Sequence, residues 1–445
     1  MKKNLLSLVC FFLSLALFAQ TEKKEELIKK NWNFGALPAV TFDTDLGFQY
    51  GALVDLYNYG DGSRYPKYNH KLYFEVSRFT KGSGINRIYY DSDQLIKGLQ
   101  TTFDLSYLSD MAYDFYGFNG YNAVYKADWV DDEQPDGIYK TRMFYKYDRK
   151  LFRFKGDIQG KITGDNFRWI TGWNFQNFKV GSVNTDKLNK GKDDVDKLPS
   201  TTDQPGLYEK YQQWGIISGD EVDGGFVPTF KGGIVFDTRD NRANPMKGVW
   251  TEAVIEASPK ILGSESSFSK LSITHRQYFT LVPNSLSLVY RLAYQTTLGG
   301  DVPFYYQSQV ITSMMTGATS EGLGGGSTIR GILRNRVIGD GVFYGNVEAR
   351  WKFVRFNFIK NNFYLGLNGF TDFGRVTKKI AVNPNSTMVS AVDYLKKDAE
   401  KMHYSYGAGL IVAMNENFVI SMDYGLAADK QDGKRGFYMG LNYLF

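Results

Sequence analysis

The sequence predicts an all-β chain, a 16-stranded antiparallel transmembrane β-barrel, and three observations predict it. Apolar and polar residues alternate with period two through many short segments, the pattern of a strand with one wet and one greasy face. Aromatic residues make up 16% of the chain and mean hydropathy is −0.35. After residue 19 no stretch of about 18 apolar residues occurs, so a transmembrane helix is not expected. The connections between segments also alternate between long and tight, as in barrels whose two ends face different compartments.

The chain opens with Lys2 and Lys3, an apolar run over 5–17, and Phe18-Ala19-Gln20 before a charged stretch. This reads as an export signal, 1–19, cleaved after Ala19. The single cysteine, Cys10, leaves with it, so the mature chain has no disulfide and no thiolate metal site. Residues 20–33 are a short periplasmic segment, and 34–445 form the barrel. Strands are expected at 34–43, 46–57, 68–80, 84–93, 98–110, 142–162, 167–182, 226–238, 248–262, 267–281, 285–299, 342–355, 362–375, 403–414, 417–427 and 436–445. An even number returns both termini to the periplasmic side. Splitting 142–162 at Asp148-Arg149-Lys150 would move the polar insertion 183–225 to the inner face, so it is kept as one strand.

The clearest alternation lies near the end. Phe418, Ile420, Met422, Tyr424 and Leu426 share one face and Val419, Ser421, Asp423 and Gly425 the other. Phe437, Met439, Leu441, Tyr443 and Phe445 form a similar row, expected to face lipid. Earlier, Phe152 and Phe154 oppose Arg153 and Lys155. Connections at 111–137, 183–225, 300–341 and 376–402 fall on the outer face, and tight turns at 163–166, 282–284 and 415–417 on the inner. The acidic stretch "DWVDDEQPDG" (128–137) and the Lys/Asp mixture at 187–197 read as solvated loop tips in preference to calcium or polysaccharide sites.

Signals for chemistry are few. His70, His275 and His403 are far apart, and neither a Gly-x-Ser-x-Gly elbow nor a phosphate loop occurs. No enzyme activity, cofactor or metal is expected, and a net charge of +6 does not call for nucleic acid. Glu252, Glu256, Glu348 and Arg350 fall on lumen faces, where a solvated ion-pair network is expected.

One stretch fits none of this. "GGGSTIRGIL" sets Gly326, Ile329, Arg330 and Gly331 in a long, glycine-rich connection. It resembles the Val/Ile-Arg-Gly motif in the sixth outer loop of the outer-membrane protein assembly superfamily, the BamA/TamA-like or bacterial surface antigen type. "GFTDFGRV" (369–376), with Phe370, Asp372 and Gly374, is similar to that family's Phe-x-Asp-x-Gly strand. "FDTRDNRANPMKGVW" (236–250), with Asp237, Arg239, Asp240, Pro245 and Gly248, looks like its periplasmic turn. "YGNVEARWKF" resembles the strand between, "ALPAVTFDTDLGFQYG" the opening hairpin, and Phe445 the C-terminal assembly signal.

The resemblance implies that the sixth outer loop is re-entrant and that Arg330 enters the lumen. Alternation along 362–375 independently turns Asp372 inward, where a carboxylate can take a guanidinium in fork geometry. It also implies a lateral seam between first and last strands, near Pro38, Gly436 and Gly440; Pro38 cannot donate a ladder hydrogen bond and suits an edge. Members that insert or secrete proteins carry POTRA domains, for which residues 20–33 leave no room. The implied function is to assist insertion, folding or export of protein or lipid at the outer membrane of a Gram-negative bacterium. Implied partners are outer-membrane lipid and other envelope proteins that supply substrate reception. A passive channel or surface-structural barrel is the alternative, and an intrabarrel lipase a minor one.

Overall fold

The computed structural model describes residues 27–445 apart from 39–40, 44–45, 136, 243, 312–320 and 384–388. The signal 1–19 and most of the segment 20–33 lie outside the described residues. The strands are β1 Trp32–Pro38, β2 Thr41–Asp43, β3 Gly47–Asn58, β4 His70–Phe79, β5 Ser83–Ile96, β6 Leu99–Asp114, β7 Lys146–Thr163, β8 Phe167–Gly181 and β9 Gly224–Asp237. They continue as β10 Gly248–Ser258, β11 Phe268–Val282, β12 Leu286–Gly300, β13 Gly341–Phe358, β14 Asn361–Lys378, β15 His403–Met414, β16 Phe418–Ala427 and β17 Arg435–Leu441. Each pairs antiparallel with its neighbour in one sheet, and β17 meets β2 to close it. Both β1 and β2 pair with β3, the first over Trp32↔Asn58 to Pro38↔Ala52 and the second over Thr41↔Gln49 to Asp43↔Gly47. They are two pieces of one strand position, so the barrel has 16 antiparallel strands.

Burial along the strands is inverted relative to a water-soluble protein. On β7, Phe152 is 47% exposed and Phe154 38%, whereas Arg153 is 4% exposed and Lys155 3%. Charged residues are almost never this buried beside exposed phenylalanines unless lipid covers the outside. Inside, Asp104 receives Arg153 at 3.3 Å as well as Arg87, and Asp157 receives Lys155 at 2.8 Å and Lys231 at 2.9 Å.

Two strand boundaries depart from expectation. The first strand is not continuous over 34–43, since β1 ends at Pro38 and β2 begins at Thr41. The last strand stops at Leu441 and not at residue 445. Asn442 adopts a left-handed conformation (φ 70°), which takes the chain out of the sheet. Tyr443 and Phe445 consequently do not face lipid. They turn into the barrel, where the Tyr443 hydroxyl lies 3.1 Å from that of Tyr364 and Phe445 packs with Tyr278 and Val289.

At the outer end the long connections carry a hydrophobic core of their own. Helix α1 (Thr185–Asn189) and helix α2 (Leu207–Gln213) lie in the connection after β8, and the short α3 (Phe304–Gln307) follows β12. Phe115 packs edge-on against Tyr211 at 5.1 Å, Trp129 against Tyr394 at 4.9 Å, Trp214 against Tyr394 at 5.4 Å, and Tyr147 against Phe304 at 6.1 Å. Apart from Tyr147 at the start of β7, these rings come from four separate connections, so the loops form a cap. Solvated tips do remain: Asp132 and Glu133 are exposed, as is most of 187–197, although Trp129 is inserted into the cap.

Candidate functional site

The arm between β12 and β13 folds back into the lumen, held first by its own backbone. Leu323 and Val337 exchange hydrogen bonds at 3.0 and 3.1 Å, so the arm is a narrow hairpin. Thr328 Oγ1 accepts the Gly324 amide at 2.9 Å, and Asn335 Oδ1 accepts that of Gly322 at 2.7 Å. Gly331 has φ +89°, and a Cβ there would stand 2.6 Å from the backbone of Gly425 on β16. Gly425 is constrained in return, because its own Cβ would lie 2.7 Å from the Gly331 amide nitrogen. Two glycines therefore let arm and wall touch backbone to backbone. Leu323, Ile329, Ile332 and Val337 of the arm pack with Val342, Tyr344 and Val376 of the wall.

At the tip, Arg330 is 1% exposed. Its Nε and Nη2 donate to the two oxygens of Asp372 at 2.9 and 3.0 Å, and its backbone amide donates to Asp372 Oδ2 at 3.0 Å. Two further carboxylates join, Glu348 at 2.7 Å from Nη2 and Asp423 at 3.1 Å from Nη1. The Phe370 ring closes one face of the guanidinium, with Cζ 3.5 Å from its centroid. Burying a charge is costly unless it is paired and hydrogen-bonded, and Arg330 is both. The wall again makes room: a Cβ on Gly374 would lie 2.6 Å from Ile329.

The network runs on toward the end of the chain. Glu348 also accepts Arg350 Nε at 2.7 Å, and Arg350 Nη2 donates to the main-chain oxygen of Phe445 at 3.0 Å. Arg350 stacks over Tyr443 at 4.2 Å. Glu252, Glu256, Glu348 and Arg350 do face the lumen, but they are at most 3% exposed. The expected solvated network is thus corrected to an enclosed one, since arm and terminal tail fill the space that water was expected to occupy.

Behind Arg330, two more arginines fasten the arm to the cap. Arg334 Nε donates to Asp114 at 2.8 Å. Arg336 donates to the carbonyls of Gln431, Gly120 and Ala123 at 2.7, 2.9 and 3.0 Å. Beside it, His403 Nδ1 lies 2.7 Å from Asp432 and its ring stacks on Tyr121 at 3.9 Å. Burial and the Asp432 carboxylate keep the Tyr121 phenol protonated well above its ordinary range. His70 touches Tyr90 and Ser92, and His275 touches Thr251 and Tyr290. The three histidines lie in separate places, and among the described residues neither His70 nor His275 contacts a carboxylate.

The seam is the opposite kind of contact. Among the described residues β17 and β2 share one register pair, Tyr438↔Asp43. Pro38 pairs with Ala52 on its β3 side, while Gly436 and Gly440 pair with Gly425 and Ser421 on β16. Tyr438 also faces inward: its hydroxyl accepts the Gly331 amide at 3.2 Å, and its ring stands 3.0 Å from where a Cβ on Gly326 would be. At the short-turn end the seam is crossed by other bonds. Asn417 Nδ2 donates to Tyr59 Oη at 3.0 Å and to the Pro66 carbonyl at 2.6 Å, and the Asn362 side chain exchanges hydrogen bonds with the Leu27 backbone at 3.0 and 3.1 Å.

The turn after β9 is locked by its own side chains. Asp237 accepts Arg239 Nε at 3.0 Å, Arg239 stacks on Trp250 at 4.2 Å, and Asp240 accepts the Met246 amide at 3.0 Å. Pro245 is buried, and Gly248 (φ +107°) is too close to the Thr238 carbonyl for any Cβ.

A buried arginine at the tip of a re-entrant loop, a seam with one pair among the described residues and a locked inner turn therefore sit on one 16-stranded barrel. The Omp85 superfamily domain matches residues 68–445. This chain belongs to the Omp85 superfamily. Among solved structures, BamA from Haemophilus ducreyi lacking POTRA domains 1–3 is similar, with TM-score 0.50 and 14% identity over 93% of this chain and 71% of that one. CdiB from Escherichia coli is similar with TM-score 0.53 and 10% identity, over 93% of this chain and 63% of that one. At these identities the likeness is one of fold. No curated protein sequence matches the chain. As an Omp85 barrel it resides in the bacterial outer membrane, in a family of transporters and assembly factors that are generally not enzymes.

Sequence reasoning paired Arg330 with Asp372 but did not see Glu348 and Asp423 as further partners. Asp423 carried a legible signal, since it stands on the wet face of the 417–426 alternation. Arg334, Arg336 and the aromatic cap carried none beyond composition, because nothing local says which loop a loop residue will meet.

Proposed function

We propose that this barrel assists delivery of polypeptide or lipid into the outer membrane through the seam between β2 and β17, with other envelope proteins supplying substrate. The observation that carries this is the contrast between a filled lumen and a seam that shows one register pair among the described residues. An open pore needs a wet passage along the barrel axis. Here Arg330, Arg334 and Arg336 are at most 5% exposed under the aromatic cap. Breaking one strand pair costs far less than drawing out a guanidinium that three carboxylates hold.

The test uses cysteines at Asp43 and Tyr438, positions paired directly and so within reach of a disulfide. Cells with the oxidised barrel are expected to lose outer-membrane proteins or lipids from their envelopes, and reduction is expected to restore them; the reduced state also controls for loss of the tyrosine. Full activity with the seam locked contradicts the proposal. A large, steady conductance of the wild-type barrel in planar bilayers contradicts it independently and favours a passive channel.

A further inference from the structure

The end of the barrel remote from the plug holds a second collection of charge. A cavity of about 410 Å³ opens there between the connection 59–69 and the ends of β5 to β8. Arg64, Lys67, Lys161 and Arg168 line it, with Asp93 and Asp165 as the lining carboxylates. Both acids are already engaged, Asp93 by Arg64 and by Lys67 at 2.6 Å, and Asp165 by Lys161. Among the described residues Arg168 donates a hydrogen bond to a main-chain oxygen, that of Asp165, through Nε at 3.1 Å, and to no side chain.

A further cation approaches from the turn after β9. Arg242 donates through Nη1 to Gln100, which also lines the cavity. It stands close enough to both Arg168 and Lys67 for the charges to repel. Among the described residues neither Arg168 nor Arg242 forms an ion pair. The neighbouring carboxylates hold other groups directly, Asp91 accepting from Tyr68 at 2.6 Å and from Gln100 and Asp237 from Arg239 at 3.0 Å, and act on the two arginines only across a longer gap. Burial lowers the pKa of Lys67, with Asp93 opposing the shift and the Arg242 charge adding to it.

Four cations and two carboxylates line this concavity and Arg242 stands beside it, so positive charge is in excess, and an entering anion relieves the repulsion that remains. Each guanidinium presents a planar fork of N–H donors matched to oxyanions. A carboxylate has two oxygens and satisfies one fork, whereas a phosphate offers three or four and can satisfy two at once. The volume lies toward the small end of ligand sites and suits a single headgroup-sized anion.

We propose that this cavity binds a phosphate-bearing ligand, with Arg168 and Arg242 holding its oxygens and Lys67 adding charge at the rim. The site goes beyond the seam reading and does not depend on it. The phosphate could be that of a lipid headgroup or of a soluble phosphate ester, since both present the same oxygens.

The full chain, purified in zwitterionic detergent, is titrated calorimetrically with inorganic phosphate, glycerol 3-phosphate, dihexanoyl phosphatidic acid and hexaglutamate. The phosphates are expected to bind, and Arg168→Gln or Arg242→Gln each to weaken binding about tenfold or more, the scale of a lost charge-assisted hydrogen bond. Tighter binding of phosphatidic acid than of glycerol 3-phosphate assigns the phosphate to a lipid; equal binding assigns it to a soluble ester. Arg355→Gln, which removes an exposed pair with Glu416, is the control and should leave binding unchanged. Heat-modifiable migration in gels checks that each variant is folded. Absence of phosphate binding, or equal binding by the folded Arg168→Gln/Arg242→Gln double variant, overturns the proposal. Displacement of phosphate by hexaglutamate overturns it in favour of an acidic-peptide site.

Discussion

The arm tip and the seam lie side by side on the same wall and are built in opposite ways. Around Arg330, three carboxylates, an aromatic face and a backbone amide converge on one loop. At the seam, one pair among the described residues joins strands whose neighbours zip at length; β13 and β14 pair from Gly341 to Phe358. Tyr438 belongs to both, pairing with Asp43 through its backbone and holding Gly331 through its hydroxyl. The difference teaches where a barrel can open without unfolding. Interactions that would leave a buried charge stranded are costly to break, and those that expose only a strand edge are cheap.

The largest expected effect is at the arm tip. Arg330→Ala leaves Asp372, Glu348 and Asp423 facing one another, a loss on the order of 3–5 kcal/mol for a fully buried pair. A clear fall in the urea midpoint of the folded barrel is the expected result. Asp372→Ala should do comparable harm, and the double variant little more than either single, because both remove the same contact. Additive losses would mean that the two side chains act separately.

A smaller effect is expected where wall and arm touch. Gly425→Ala pushes a methyl into the backbone of Arg330 and Gly331, which cannot rotate away as a side chain could. Overpacking of this kind costs about 1–3 kcal/mol. The arm should shift outward, making residues 326–331 accessible to protease in intact cells while β13 and β14 stay protected from hydrogen exchange. Unchanged protease resistance would mean that the arm is held without this close approach.

The smallest effect sharpens the seam side of the comparison. Asn417→Ala removes the donors to Tyr59 and Pro66, about 1 kcal/mol for a hydrogen bond of ordinary net worth. Its consequence should be local: faster amide exchange in β1 and β2, with the urea midpoint almost unmoved. Equal acceleration in β13 would show that the clasp supports the whole barrel.

Period-two alternation was sufficient to find the strands, and β15 falls on the expected 403–414. It misled at the end of β17, where the alternating row was extended through Tyr443 and Phe445. Their apolar character is equally compatible with lipid and with a lumen packed around Arg350 and Tyr364. Only the left-handed turn at Asn442 decides between the two. The acids Glu252, Glu256 and Glu348 were placed on the right face, but whether that face is wet depends on what fills the barrel.

By itself, then, the sequence determined the strands, their in-and-out faces up to Leu441, and the alternation of long and tight connections, while the pairing of Arg330 with Asp372 came from resemblance to a family motif. All of these follow from local geometry or from motifs a few residues long. Only the tertiary structure decided that the outer loops share an aromatic core, that Glu348 and Asp423 complete the shell around Arg330, and that Arg168 and Arg242 come together beside a cavity with more cations than carboxylates. These depend on closure of the sheet, which brings β17 beside β2 and folds four connections over one mouth. Contacts between residues so far apart in sequence leave no periodic trace in the chain, because nothing local constrains them until the barrel has closed.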